Sequence, residues 1–85
     1  MHRTTSRFWQ CYQALPYDVR EQADKCFALL QKNPRHPSLH FKKVGAFWSV
    51  RVDIMYRALA VQDSDDFIWV WIGSHDEYKR LIRKR

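Results

Sequence analysis

The sequence predicts an α+β fold, with an N-terminal helical hairpin packed on a four- to five-stranded antiparallel sheet and a short C-terminal helix. Three observations support this prediction. Residues 17–32 carry apolar side chains at helical spacing, residues 47–62 are rich in β-branched and aromatic side chains, and residues 67–72 are strongly apolar. With 85 residues, 46% of them hydrophobic, the chain is expected to fold as a single domain over residues 1–85 with a modest core.

Two helices are expected in the N-terminal part of the chain. A first helix, capped by Thr5 or Ser6, is predicted to run to about residues 12–14, where a proline interrupts it. A second helix is predicted from Tyr17 to Lys32, and an Asn-Pro pair then ends it. The apolar positions that recur on one face of this second helix are Val19, Ala23, Cys26, Phe27 and Leu30.

Three further segments complete the predicted sheet and the C-terminal helix. A weak signal marks residues 2–5 as a very short strand, and residues 39–44 are predicted as another strand. Because residues 67–72 are apolar throughout, we expect them to form a central strand that is covered on both faces. A short helix is expected from His75 or Asp76 onward.

The most informative stretch is residues 47–62, which has the pattern of two strands joined by a tight turn. If Val52 pairs with Tyr56, then Arg51 lies directly opposite Arg57 on the same face of the sheet. Like charges in that arrangement destabilise a hairpin by about a few tenths of a kcal/mol. Such a pair favours an anion bound between the two arginines, although ion pairs with nearby aspartates would also explain it.

The net charge of the chain also favours an anionic partner. Fifteen Lys and Arg against nine Asp and Glu give a net charge of +6, which favours a polyanionic partner. Five of the last seven residues are basic, and a solubilising C-terminus is the alternative explanation. These residues are Lys79, Arg80, Arg83, Lys84 and Arg85.

Several classes of function are disfavoured by what the sequence lacks. No apolar run approaches the length of a bilayer and no signal-peptide pattern follows Met1, so a cytoplasmic protein without a membrane partner is expected. Cys11 and Cys26 are expected to be reduced and structural. Because prolines prevent the helix that would bring His36 and His40 together, we expect no metal site, and with two glycines no phosphate-binding loop. No cofactor is expected.

A set of basic and aromatic side chains suited to phosphate chemistry remains. Its members are Lys42, Lys43, Arg51, Arg57, His75 and Tyr78. The last strand of an antiparallel sheet can end near Arg57, so these groups could converge. Metal-free cleavage of RNA requires a base for the ribose 2′-hydroxyl, positive charge on the phosphate and a proton donor for the departing 5′-oxygen. Histidine suits the proton transfers and arginine suits the phosphate.

Each of these residues also has a structural explanation. His75 could cap the last helix, Tyr78 could pack against the sheet, and the lysines could face solvent. Trp48, Trp69 and Trp71 could form a base-stacking platform, but their alternation with other apolar residues favours core packing. Strand register decides which face the last two tryptophans take.

Four stretches occur in a characteristic order after the two predicted helices. They are Asn33-Pro34-Arg35-His36-Pro37-Ser38-Leu39, Phe47-Trp48-Ser49-Val50-Arg51-Val52, Tyr56-Arg57-Ala58-Leu59 and Gly73-Ser74-His75-Asp76-Glu77-Tyr78. This order resembles the RelE/ParE superfamily of bacterial toxins over nearly the whole chain. The resemblance implies a small toxin of a type II toxin–antitoxin pair, with that family's fold.

The resemblance also implies which residues act. RelE-like members cut messenger RNA in the ribosomal A site, without metal or cofactor, through attack by the 2′-hydroxyl. Arg57 matches the arginine that contacts the scissile phosphate, Arg51 matches a basic residue of the third strand, and His75 and Tyr78 match C-terminal catalytic positions. Ser49 stands where RelE itself has a second lysine. The residues assigned to RNA binding are Lys42, Lys43, Ser49, Lys79, Arg80 and Arg83.

The leading hypothesis is therefore a ribosome-dependent endoribonuclease that inhibits translation and is neutralised by a cognate antitoxin. Its expected partners are the antitoxin, the ribosome and messenger RNA, with higher-order toxin–antitoxin complexes on operator DNA. The alternative is a ParE-like toxin that inhibits DNA gyrase and is not a nuclease. A third hypothesis is an inactive toxin that serves as a DNA-binding co-repressor.

Overall fold

The computed structural model describes residues 1–83; Lys84 and Arg85, two of the C-terminal basic residues, lie outside the described residues. The chain forms three α-helices and five strands in this range, which confirms the predicted α+β class. No helix in residues 1–83 is long and apolar enough to cross a bilayer. In chain order the elements are β1 (His2–Thr4), α1 (Ser6–Gln13), α2 (Tyr17–Lys32), a 3₁₀ turn (Pro37–Leu39), β2 (Lys42–Val44), β3 (Phe47–Asp53), β4 (Tyr56–Asp63), β5 (Asp66–Ser74) and α3 (His75–Arg83).

The helices lie where apolar periodicity placed them. Thr5 is the N-cap of α1, because its hydroxyl accepts the backbone N–H of Phe8 at 3.1 Å. The same hydroxyl donates to the carbonyl of Trp69 at 3.0 Å, so one side chain both starts α1 and fixes it to β5. α2 has the predicted bounds and buries the predicted apolar stripe, apart from Phe27, which is half-buried.

The sheet has the strand order β1-β5-β4-β3-β2. β4 is the central strand, and β5 lies between β4 and β1 with both of its faces covered. β2 to β5 are antiparallel, whereas β1 pairs with β5 in parallel, which the sequence did not indicate. A parallel neighbour is possible here because α1 and α2 intervene between β1 and the rest of the sheet.

The strand predicted over residues 39–44 begins only at Lys42, so the first half of that prediction is wrong. Leu39 instead ends the 3₁₀ turn and is buried, at 2% exposure. Pro37 occupies the first position of that turn, where a proline fits because its missing N–H has no partner to lose. As a result β2 covers only the beginning of β3, from Phe47 to Ser49.

Irregularities in two strands set which side chains share a face. In β3 an extra residue lies between Arg51 and Asp53, so Asp53 pairs with Tyr56 and the predicted pairing of Val52 is wrong. The predicted pairing of Arg51 with Arg57 is nevertheless confirmed.

In β5 the extra residue is Val70. Leu59 pairs with Trp71 and Ala60 pairs with Trp69, so the two tryptophans lie on opposite faces. Trp69 packs under α1 and α2 at 1% exposure, and Trp71 packs on the other face at 8%. This confirms core packing for both, and the bulge decides which face each of them takes.

The two faces of the sheet thus carry separate apolar clusters. The helical-face cluster, between the sheet and α1 and α2, holds Phe8, Leu30, Val50, Ala58, Trp69 and Ile72 among others. The α3-face cluster consists of Leu59, Trp71 and Tyr78 with partly buried neighbours. Both cysteines are free thiols, and burial of Cys26 in the helical-face cluster raises its thiol pKa to about 11. A thiol so rarely ionised is a structural group and not a nucleophile.

We predict that a side chain at Gly73 destabilises the fold, because the Trp71 ring covers this position. A Cβ added at Gly73 would meet the indole of Trp71 at 2.5 Å. Overpacking of this kind costs about 1–3 kcal/mol, so Gly73→Ala should lower the free energy of unfolding by that amount in urea denaturation. The matched control is Gly45→Asn, since Gly45 has open space around it and a φ of +61° that asparagine tolerates. Equal stability of Gly73→Ala and the native protein would contradict this packing.

Candidate active site

Arg51 and Arg57 face each other across β3 and β4. Val50 and Ala58, their neighbours along each strand, are fully buried under the helices, so the two arginines project from the α3 face. Directly paired side chains have Cβ atoms about 5 Å apart. Both arginines are half-buried. The sheet therefore holds two guanidinium groups side by side on a surface that a ligand can reach.

Arg57 is fixed by the turn that joins these strands. Its Nη1 donates to the backbone carbonyls of Asp53 and Tyr56, the latter at 2.9 Å. Burial lowers the pKa of Arg57, and the neighbouring charge of Arg51 lowers it further. Both causes disfavour the charged form, so a bound anion would relieve an existing electrostatic cost. That is the property expected of a phosphate-binding arginine.

The N-terminus of α3 is attached to the same turn. The N–H of His75 donates to the carbonyl of Met55 at 2.7 Å, and β4 pairs with β5 up to the residue before it. Ser74 caps α3, since its hydroxyl accepts the N–H of Glu77 at 3.3 Å. The imidazole of His75 is therefore not needed as a cap. It is half-buried and lies beside β4, the strand that carries Arg57.

Tyr78 connects His75 to Arg57. Its ring stacks on the His75 ring, with centroids 5.7 Å apart and planes at 27°. At 8% exposure it packs with Leu59 and Trp71, and its phenol is near enough to Arg57 to affect the pKa of that arginine. The structure thus brings together all four residues that the sequence singled out as catalytic.

The residues predicted to bind RNA separate into two groups. Lys42 pairs with Ser49 and lies on the face that carries Arg51, whereas Lys43 pairs with Trp48, which packs with the helical-face cluster. Both lysines are exposed, but only Lys42 shares a face with the arginines. Ser49 is 3% exposed, and its hydroxyl is not open to a ligand in this conformation.

The three basic side chains of α3 separate in the same way. Arg80 lines a surface depression with Arg7 and Glu77, on the α1 side of the helix. Lys79 lies one turn after His75 and Arg83 one turn after Lys79, so both follow the row of side chains that begins at His75, whereas Arg80 is offset from Lys79 by about 100° around the helix. All three basic residues are exposed.

One residue near the arginines was considered in the sequence only as a metal ligand. The Nε2 atom of His40 lies 3.5 Å from Nη1 of Arg51. Because β2 does not extend along the outer edge of the second half of β3, the segment after the 3₁₀ turn can reach this arginine. No local pattern marks His40, since its position depends on the left-handed backbone that follows the turn, with φ of 46°. Within residues 1–83, no group of three or more His, Cys, Asp or Glu is arranged to hold a metal.

Solved structures with the same architecture include several toxins. A chain of the RelB-RelE antitoxin-toxin complex from Methanococcus jannaschii matches with a TM-score of 0.72 and 13% identity, over 93% of this chain and 96% of that one. YafQ from Escherichia coli matches with a TM-score of 0.68 and 9% identity, over 92% and 96%. The isolated RelE toxin of E. coli matches with a TM-score of 0.62 and 14% identity, over 99% and 96%. At these identities the likeness is one of fold.

Sequence comparison identifies the family. No curated protein sequence matches this chain. The family model of the ParE-like toxin domain matches residues 17–80, which contain α2, the whole of β2 to β5 and most of α3. The chain therefore belongs to the ParE-like toxin domain family, within the RelE/ParE superfamily that its motifs predicted.

Proposed function

We propose that this protein is a ribosome-dependent endoribonuclease toxin that cleaves messenger RNA without a metal ion. The observation that carries the proposal is the convergence of Arg51, Arg57, His75 and Tyr78 at one end of the β3–β4 hairpin. These side chains supply positive charge for the phosphate and a proton-transfer group, both of which are needed for attack of a ribose 2′-hydroxyl on the adjacent phosphate. The site is an open surface, as a macromolecular substrate requires.

Each of the four side chains has a role that its surroundings support. Arg57 and Arg51 bind the phosphate and stabilise the charge that builds up on its oxygens in the transition state. His75 transfers a proton, for which an imidazole is suited near neutral pH. Tyr78, stacked on His75 and buried against the sheet, holds the imidazole in position and contributes its phenol beside Arg57.

A strip of exposed positive charge extends from this site. Lys42 lies on the same face of the sheet, and Lys79 and Arg83 lie on the flank of α3 that begins at His75. These side chains would bind the RNA backbone on either side of the cleaved bond. Lys43 and Arg80 point elsewhere and Ser49 is buried. We therefore assign RNA binding only to Lys42, Lys79 and Arg83.

A cognate antitoxin is the partner that would keep the toxin inactive. The related chain from M. jannaschii forms a RelB-RelE antitoxin-toxin complex. An antitoxin segment that covers the basic face would carry acidic side chains and become ordered on binding.

The experiment that tests the proposal is in-vitro translation of a defined message with the purified protein, read by primer extension with and without ribosomes. Discrete cuts within codons that require ribosomes are the expected result. An intact message would overturn the proposal.

A second candidate is inhibition of DNA gyrase, since the family that matches is ParE-like. ParE-like members share the fold but do not depend on a complete nuclease site. A supercoiling assay with the same protein distinguishes the two functions: gyrase inhibition together with an intact message would establish this second candidate.

We predict that Arg57→Lys and His75→Ala each abolish growth arrest on induced expression. Lysine keeps the charge of Arg57 but cannot bind a phosphate through two parallel N–H groups, and alanine at position 75 removes the proton-transfer group. Loss of either should slow cleavage by about 100-fold or more. Circular dichroism and soluble yield control for folding. Full toxicity of both folded variants would remove these residues from the mechanism.

The separation of the basic residues on α3 gives a matched pair of variants. We predict that Lys79→Glu weakens ribosomal cleavage by about tenfold at physiological salt, whereas Arg80→Glu has an effect of less than about twofold. Both variants reverse one exposed charge on adjacent residues of the same helix, so net charge is equal. Cleavage rates measured between low and high salt check this, and equal loss in both variants would contradict the assignment of RNA to one flank.

A further inference from the structure

We infer that His40 is the general base of the cleavage reaction, with His75 as its general acid, so that the arginine pair holds a phosphate between two imidazoles. The inference rests on the proposed function and names the second proton-transfer group of that site. It is supported by three observations: His40 lies beside Arg51, a strained backbone holds it there, and the other two histidines, His2 and His36, make structural hydrogen bonds elsewhere.

The first observation is where the two imidazoles lie relative to the arginines. Nε2 of His40 is 3.5 Å from Nη1 of Arg51, on the side of β3 that β2 leaves uncovered. His75 lies on the side of Arg57, where α3 starts, and its ring stacks on Tyr78. Since Arg51 and Arg57 are neighbours across the strands, the four groups follow one another across the hairpin as imidazole, guanidinium, guanidinium, imidazole.

The second observation is the backbone of His40. Its φ of 46° and ψ of 42° place it in the left-handed region, which is disfavoured for a residue with a Cβ. Such strain persists where surrounding structure imposes it, and it concentrates at functional sites. Here the buried side chain of Leu39 anchors the chain just before His40, and the N–H of His40 donates to the carbonyl of Pro37 at 3.3 Å. The turn thereby directs an exposed imidazole toward Arg51.

The third observation is that the other two histidines serve structural purposes. Nδ1 of His2 accepts the indole N–H of Trp69 at 3.0 Å, at the opposite edge of the sheet. Nδ1 of His36 accepts the N–H of Ser38 at 3.2 Å and so caps the 3₁₀ turn. His40 and His75 are therefore the two histidines placed beside the arginine pair.

The contact with Arg51 assigns the roles. A guanidinium can only donate hydrogen bonds, so a hydrogen bond between Nη1 of Arg51 and Nε2 of His40 uses the lone pair of that nitrogen. A lone pair on an imidazole nitrogen is what a general base needs. His40 takes the proton from the 2′-hydroxyl as the 2′-oxygen bonds to phosphorus. The bond from phosphorus to the 5′-oxygen then breaks, and His75 gives its proton to that oxygen. The products are a 2′,3′-cyclic phosphate and a free 5′-hydroxyl, which balances protons and bonds.

The test compares His40→Asn with His36→Asn in ribosomal cleavage of a defined message under single-turnover conditions from pH 5.5 to 8.5. Asparagine tolerates the left-handed backbone at position 40 and can cap the turn at position 36, so both variants should fold. The wild-type rate should rise with pH as the base loses its proton and fall as the acid loses its own. His40→Asn should lose the rising limb and at least about 100-fold in rate at pH 7, while His36→Asn should keep the wild-type profile.

A modified substrate separates base from acid. When sulfur replaces the 5′-oxygen at the cleaved bond, the thiolate leaves without a proton donor. This substrate should restore cleavage by His75→Ala and leave His40→Asn impaired.

Three results would overturn the inference while leaving the proposed function intact. The first is cleavage by His40→Asn at the rate of His36→Asn. The second is slower cleavage by His40→Asn with both limbs of the pH profile kept, which would mean that His40 only positions Arg51. The third is rescue of His40→Asn by the sulfur substrate. Wild-type protein that leaves the message intact would overturn the proposed function and this inference with it.

Discussion

The pairing of Arg51 with Arg57 depends on one short turn, and the rest of the site is built on that turn. The carbonyls of residues 53 and 56 accept the Arg57 guanidinium, and the carbonyl of Met55 accepts the first N–H of α3. One turn of the backbone therefore sets both the direction of an arginine and the starting point of the helix that carries His75. A change in the length of this turn would move the Arg57 guanidinium and the His75 imidazole together.

α3 also needs an apolar surface to pack on, and the bulge at Val70 provides it. Without the extra residue, Trp71 would follow strict alternation and lie with Trp69 under the helices. The bulge turns Trp71 to the other face, where its ring covers Gly73 and packs with Leu59 and Tyr78. Tyr78 in turn holds His75. The position of the imidazole thus depends on a backbone irregularity five residues earlier in the chain.

The sequence predicts the features that are encoded over whole helices and strands, and it does not predict those that depend on a single residue. Apolar periodicity extends over whole helices, so the bounds of α2 were predicted correctly, and strand composition together with the turn gave the pairing of Arg51 with Arg57. A bulge adds one residue and reverses every later side chain in its strand, yet it leaves composition unchanged. The opposite faces of Trp69 and Trp71 could not be predicted for that reason. The contact of His40 with Arg51 could not be predicted because it depends on the left-handed backbone of His40 itself.

Several energetic costs of the fold lie at the site. Facing arginines cost a few tenths of a kcal/mol or more, left-handed His40 costs about 1–2, and Arg57 is partly desolvated beside a like charge. Apolar clusters on both faces of the sheet compensate for them. An anion bound between the arginines would remove the repulsion and, since it binds only the folded chain, stabilise the fold. In that case the repulsion that weakens the free protein would add to its affinity for the anion.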